Sequence, residues 1–145
     1  RYFNVFGPRQ DPLSTYAAVI PKFITAMLDG QRPMVEGDGL QSRDFTYIAN
    51  VVHGNLLACH TPGVAGETFN IAVGGSITLL DMIATLNDIL GTEIEPVFAD
   101  PRPGDVKHSR AAIDKARERL GYEPKVSFED GLRRTVAWYA ENGAG

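Results

Sequence analysis

The sequence has a single cysteine, Cys59, in 145 residues. That excludes an internal disulfide and points to a reducing, cytoplasmic setting. Its three histidines, His53, His60 and His108, show no metal-ligand spacing, so no metal is expected and none of them reads as catalytic. No apolar run approaches the roughly 20 residues that cross a bilayer, so no membrane partner is expected. Basic residues do not cluster: 14 Lys and Arg stand against 18 Asp and Glu, for a net charge of −4. That balance does not suggest a nucleic-acid partner. There is no nucleophile elbow, no paired-cysteine zinc pattern and no glycine-rich dinucleotide fingerprint after a strand. An initiator methionine is absent too. The first residues, Arg1 to Phe6, read as a buried strand with nothing upstream to pair with. The expectation is a piece of a larger protein, cut within a sheet.

What is present suits one soluble globular unit, with 43% hydrophobic and 22% charged residues. Tyr2-Phe3-Asn4-Val5-Phe6 would be a buried strand delivering Asn4 to a site, closed by Gly7-Pro8. Residues 16–28 read as a buried helix. Proline is best tolerated in a first helical turn, so Pro21 sets the start of the helix proper near Ile20. Residues 33–36 form a short strand, Gly37-Asp38-Gly39 a tight turn, and residues 43–47 its expected strand partner. Residues 48–60 read as a helix with Val51, Val52, Leu56 and Ala58 on one side and Cys59 buried. A second buried strand is expected at 67–73. Thr78 with Asp81 should cap a helix ending at Gly91. A strand follows at 94–98, then an ordered loop at 101–105 and a helix from Ser109 to Leu120. Ser127 with Asp130 should cap the last helix, whose inner face is Leu132, Val136 and Tyr139 or Trp138. The order is mixed α/β, with strands too scattered for one parallel sheet.

Three elements carry possible chemistry. Asn4 is a lone amide at the end of an apolar strand; it either serves a site or caps its own turn. Arg43 opens a half-buried strand, where it either pairs with Asp44 or grips a phosphate with its guanidinium fork. In Arg102-Pro103-Gly104-Asp105, proline and glycine fix the backbone between a cation and an anion. That loop is either a salt-bridged turn or a place where Arg102 meets phosphate and Asp105 a sugar hydroxyl. A few such arginines can hold a diphosphate within an acidic chain.

Taken in order, the segments Arg1 to Gln10, Ala17 to Phe23, Gly37 to Phe45, Phe69-Asn70-Ile71 and Arg102 to Asp105 resemble the carboxyl-terminal half of NAD-dependent nucleotide-sugar epimerases. These are extended short-chain dehydrogenases/reductases of the UDP-glucose or UDP-N-acetylglucosamine 4-epimerase type. The resemblance covers essentially the whole chain. It implies a small mixed α/β substrate-binding domain, with residues 1–6 and 68–72 as outer strands of a Rossmann-type sheet. In that family a glycine-rich turn and a Tyr-x-x-x-Lys pair come from the amino-terminal domain. Neither motif occurs here; Tyr122-Glu123-Pro124-Lys125 is one residue short.

The resemblance further implies that Tyr2 and Phe3 lie by the nicotinamide ribose of NAD, and that Asn4 meets the sugar diphosphate. Ala18 and Val19 would follow the nucleotide path, with Lys22 a weaker contact. Met34 and Glu36 would flank the uracil, Arg43 and Arg102 would grip the diphosphate, and Asp105 would take the ribose. Phe45 stands where some members carry tyrosine, which alters the contacts to the sugar. The parent would be a homodimer acting on a UDP-sugar. The chain alone would be inactive and would leave a sheet edge and an apolar face open to self-association. A sibling dehydratase or decarboxylase, or a non-catalytic binding module, are the competing readings.

Overall fold

Pro21 fixes where the first helix begins. The computed structural model describes residues 1–13, 19–101 and 103–143, and in it helix α1 spans Val19–Leu28. Pro21 is its third residue, where the missing N–H would have had no intrahelical partner. The helix buries Ile20, Phe23, Ile24 and Met27. Of the segment expected to lead into it, residues 14–18 lie outside the described residues.

The strands are short and pair at long range. Strand β1 (Val5–Phe6) runs parallel to β4 (Thr46–Tyr47), and β2 (Met34–Glu36) runs parallel to β6 (Val97–Ala99). Strand β3 (Ser42–Arg43) is antiparallel to β5 (Ile77–Thr78). The expected pairing of residues 33–36 with 43–47 is therefore wrong. The Gly37 N–H, which would start that hairpin, donates instead to Ala99 O at 2.9 Å, extending the β2–β6 ribbon. The predicted strand at 67–73 is reduced to one parallel bridge, Tyr2↔Ile71. Arg1 flanks that bridge, its amino group donating to Phe69 O and its carbonyl accepting from Ile71 N. The predicted opening strand is also interrupted, because Asn4 adopts a left-handed backbone (φ 38°).

Local signals place the remaining helices. Helix α3 (Leu79–Leu90) starts on the Thr78–Asp81 capping box and ends at Gly91, in the left-handed region. Helix α5 (Phe128–Asn142) starts on Ser127, whose hydroxyl accepts from Asp130 N at 3.1 Å. Helix α4 (Asp114–Leu120) starts five residues later than expected. The amides before it are already engaged: Ser109 N donates to Ser42 O at 3.0 Å and Ala111 N to Asp44 Oδ2 at 3.3 Å.

Helix α2 (Ile48–His60) turns Asn50, Val51 and Gly54 inward. A Cβ on Gly54 would lie 2.8 Å from Ile71, so only glycine permits this approach. The buried Asn50 amide accepts from Lys125 N and Val126 N and donates to Val126 O, all at 2.8–3.0 Å. Ile48, Val52 and Leu56 are exposed, and so is Cys59, contrary to the sequence expectation. The helical period sets these four on the side opposite Val51 and Gly54, where no described element covers them.

Two cores result. The larger packs Phe6, Phe45 and Tyr47 against α1, α3 and α5, with Leu132, Val136 and Tyr139 supplied by α5. The smaller joins Val64, Phe69 and Ile71 to Ile113, Leu120 and Tyr122.

Candidate functional site

Arg43 and Asp44 are neighbours on an extended segment, so their side chains leave on opposite sides. Asp44 turns inward and is 1% exposed. Its carboxylate accepts from Val73 N at 3.1 Å, Gly74 N at 2.9 Å and Ala111 N at 3.3 Å. A buried carboxylate held by several backbone N–H groups is a satisfied anion, and it fixes two loops beneath the site. Its charge, after burial itself, helps push the Tyr122 hydroxyl up to about 12. That hydroxyl donates to Ala72 O at 2.9 Å.

Arg43 turns outward. Its Nη1 donates to Ser42 O at 2.8 Å and Lys107 O at 3.3 Å, and its Nη2 meets Asp105 Oδ1 at 2.5 Å. The Arg43–Asp44 pair is therefore excluded, and Asp105 is the partner. The loop carrying Asp105 is tied at a second point by the exposed Lys107–Asp38 ion pair. The Lys107 ammonium, then the Leu40 N–H, hold the Asp38 carboxyl below its ordinary range.

Arg43 and Asp105 stand at a cleft of about 550 Å³ lined from α1, β2, β3 and the segment carrying Asp105. The volume lies within the range of sites for small molecules. Most of the predicted site residues line it: Asn4, Val19, Lys22, Met34, Glu36, Arg43, Phe45 and Asp105. Phe45 is buried, while Met34 and Lys22 stand exposed at the rim. Asn4 Nδ2 donates to Asp44 O at 3.3 Å, holding the strained residue against the segment that follows Arg43. Ala18 and Arg102 lie outside the described residues. Tyr2 and Phe3 do not line the cleft: Tyr2 Oη donates to Asn55 Oδ1 at 2.9 Å, and Phe3 packs on the smaller core.

Sequence reasoning missed Arg32 and Gln41, which also line the cleft. Arg32 donates from Nε to Glu95 O at 3.0 Å and from Nη2 to Pro96 O at 2.7 Å, bracing the approach to β6. Gln41 Nε2 donates to Glu36 O at 2.5 Å, closing the turn between β2 and β3. Gln41 sits within the Gly37–Phe45 run, the one signal that could have marked it; Arg32 depends on a partner 63 residues away. Among the described residues no group of three or more His, Cys, Asp or Glu is placed to hold a metal ion. No described helix is long and apolar enough to cross a membrane. The arrangement can bind and orient an anion beside an apolar floor.

Short strands paired at long range, with helices packed on them and an arginine at the mouth of an apolar-floored cleft, accord with the extended short-chain dehydrogenase/reductase class. The chain belongs to the family described as GDP-mannose 4,6 dehydratase, which it matches over residues 1–135. It is similar to the crystal structure of UDP-glucose 4-epimerase with UDP-glucose from Thermotoga maritima. There the TM-score is 0.91 and the identity 43%, over 97% of this chain and 45% of that one. It is also similar to UDP-glucuronic acid 4-epimerase from Bacillus cereus in complex with UDP-glucuronic acid and NAD (TM-score 0.89, 36% identity, 97% and 44% covered). A dTDP-glucose 4,6-dehydratase from Streptomyces griseus is 36% identical over 142 residues, 96% of this chain and 41% of that protein. The chain thus spans less than half the length of these proteins.

Proposed function

We propose that this chain is the UDP-sugar-holding part of a cytoplasmic, NAD-dependent nucleotide-sugar 4-epimerase. The observation that carries the reading is Arg43, held by two backbone carbonyls and Asp105 at the mouth of the cleft. With Nη1 held by the two carbonyls, the edge carrying Nη2 can exchange Asp105 for phosphate oxygens. Similarity to 4-epimerases crystallised with UDP-glucose and UDP-glucuronic acid supports a UDP-sugar as the ligand.

In this reading Arg43 and Arg102 grip the diphosphate and Asn4 adds an amide to it. Asp105 takes the ribose. Met34 and Glu36 flank the uracil, Ala18 and Val19 follow the nucleotide, and Lys22 guards the rim. Phe45 forms the floor under the sugar, without a hydroxyl to offer it.

The residues here give NAD an edge rather than a cradle. Asn4 is exposed in a strained backbone, Tyr2 is 55% exposed, and no glycine-rich turn follows a strand. Tyr2, Phe3 and Asn4 would touch the nicotinamide ribose, and the rest of the cofactor site belongs to residues outside this sequence. The chemistry NAD supplies when bound is transient oxidation at C4 of the sugar and return of hydride to the opposite face. This chain's contribution is to hold the sugar nucleotide still while that happens.

The test is calorimetric titration with UDP, followed by assay of UDP-galactose and UDP-glucose interconversion. The 145 residues alone should show no interconversion, and turnover by them would refute the division of labour proposed here. The similarity to a 4,6-dehydratase gives one competing reading. Release of a 4-keto-6-deoxy sugar nucleotide by the full polypeptide, in place of the C4 epimer, would select it.

A further inference from the structure

Ser42 is 3% exposed, and every polar atom it has is engaged. Its N–H donates to Lys107 O at 2.8 Å, and its carbonyl accepts from Ser109 N at 3.0 Å and from Arg43 Nη1 at 2.8 Å. Its hydroxyl accepts from Ser76 Oγ at 2.9 Å and stands 2.9 Å from His108 Nδ1. With Ser76 as donor, the Ser42 proton points to His108 Nδ1, which leaves the ring proton on Nε2. Three side chains from three segments thus form one directed chain of hydrogen bonds, Ser76 to Ser42 to His108. It lies between β3 and the strand-like stretch that follows the Asp105 loop.

Arg43 takes its alignment from two carbonyls, those of Ser42 and Lys107. Both positions are set by the pairing of Ser42 with residues 107–109. The two backbone bonds form a single isolated bridge, Ser42↔His108, braced on either side by the Lys107–Asp38 ion pair and by Ala111 N on Asp44. The hydroxyl chain adds a crosswise restraint that a bridge lacks; its middle member, Ser42, is buried, while Ser76 and His108 are exposed.

We propose that Ser42 is a positioning residue: acting through Ser76 and His108, its hydroxyl locks residues 107–109 to β3 and so aims Arg43 at the diphosphate of a nucleotide. This rests on the nucleotide-sugar reading above.

The test uses the full polypeptide and two probes, UDP and uridine, with Ser42→Ala, Ser42→Thr and the more exposed Ser76→Ala. Ser42→Ala should weaken UDP about tenfold, the equivalent of one buried hydrogen bond, and leave uridine unchanged. Ser42→Thr keeps the hydroxyl and should restore UDP affinity. Ser76→Ala, whose site carries little packing, should give a smaller loss of UDP alone. Amide exchange at Ser109 should speed up in Ser42→Ala and return to the original rate in Ser42→Thr. Equal losses for UDP and uridine, or equal losses in the Ala and Thr variants, would overturn the inference by reducing Ser42 to a packing residue. Unchanged exchange at Ser109 in Ser42→Ala would overturn the positioning role by itself. Failure of the unaltered protein to bind UDP would instead bring down the nucleotide reading, so the two failures are told apart.

Discussion

Arg43 and Asp44 are adjacent, oppositely charged and differently used. Asp44 is surrounded by backbone N–H groups from two loops that cannot move without breaking the fold. Arg43 meets one side-chain carboxylate at the surface and two carbonyls on a loop edge. The inward charge is rigid because its partners are main chain, whereas the outward charge can change partners because Asp105 is a half-exposed side chain. A binding cleft needs both: a floor that does not yield and a clamp that can exchange one anion for another.

Breaking the inward half should have the largest effect. Asp44→Ala strips the acceptor from three backbone amides and should destabilise the fold by roughly 3 kcal/mol or more, read as a drop in urea midpoint. Asp44→Asn keeps one acceptor oxygen and should recover part of that loss. Breaking the outward half should leave stability within about 0.5 kcal/mol and weaken UDP roughly 10- to 100-fold in Arg43→Ala, by titration calorimetry. Arg43→Lys keeps the charge without the fork and should recover only a minor share of the affinity.

A subtler change tests the exchange of partners. Asp105→Asn removes the anion that competes for Arg43, so inorganic diphosphate should bind a few-fold more tightly while UDP, losing its ribose contact, binds more weakly. Movement of both ligands in the same direction would count against it.

A pH-linked effect lies beneath Asp44. Tyr122 ionises at about 12 when folded and at 10.0 when free, so the unfolded chain loses its proton first as pH rises. Its contribution is complete below pH 10.0 and is lost as pH climbs toward about 12. Tyr122→Phe should flatten that part of the alkaline loss in urea melts, at a constant deficit from the missing bond to Ala72 O.

Elements that declare themselves locally were legible in the sequence. Pro21, the Thr78–Asp81 box, Ser127 with Asp130, and Gly91 each act within one helical turn, and α1, α3 and α5 follow from them. Strand pairing was not legible. Strands of two or three residues carry too little alternation to specify a partner, and Gly37-Asp38-Gly39 invites a hairpin that the Gly37–Ala99 bond overrides. On α2 the sequence reveals apolarity but not direction, so Val52 and Leu56 were grouped with Val51, from which they point away. At the site, residue types that suit a diphosphate were readable at Arg43 and Asp105. Their contact spans 62 residues and follows only from the fold, as does the inward turn of Asp44.

The larger core also sets a timetable. Tyr139 Oη reaches Gln10 O, 129 residues back, and Leu132 and Val136 fill the space between α1 and α3. Neither α1 nor α3 buries its apolar face without α5. On the ribosome, Phe6, Ile24 and Leu86 must wait for α5 to emerge before the core can close, and contacts of such long sequence separation form slowly. Nascent chains stalled before residue 128 should therefore be sensitive to protease in α1 and α3, and those in which α5 has emerged should resist it there.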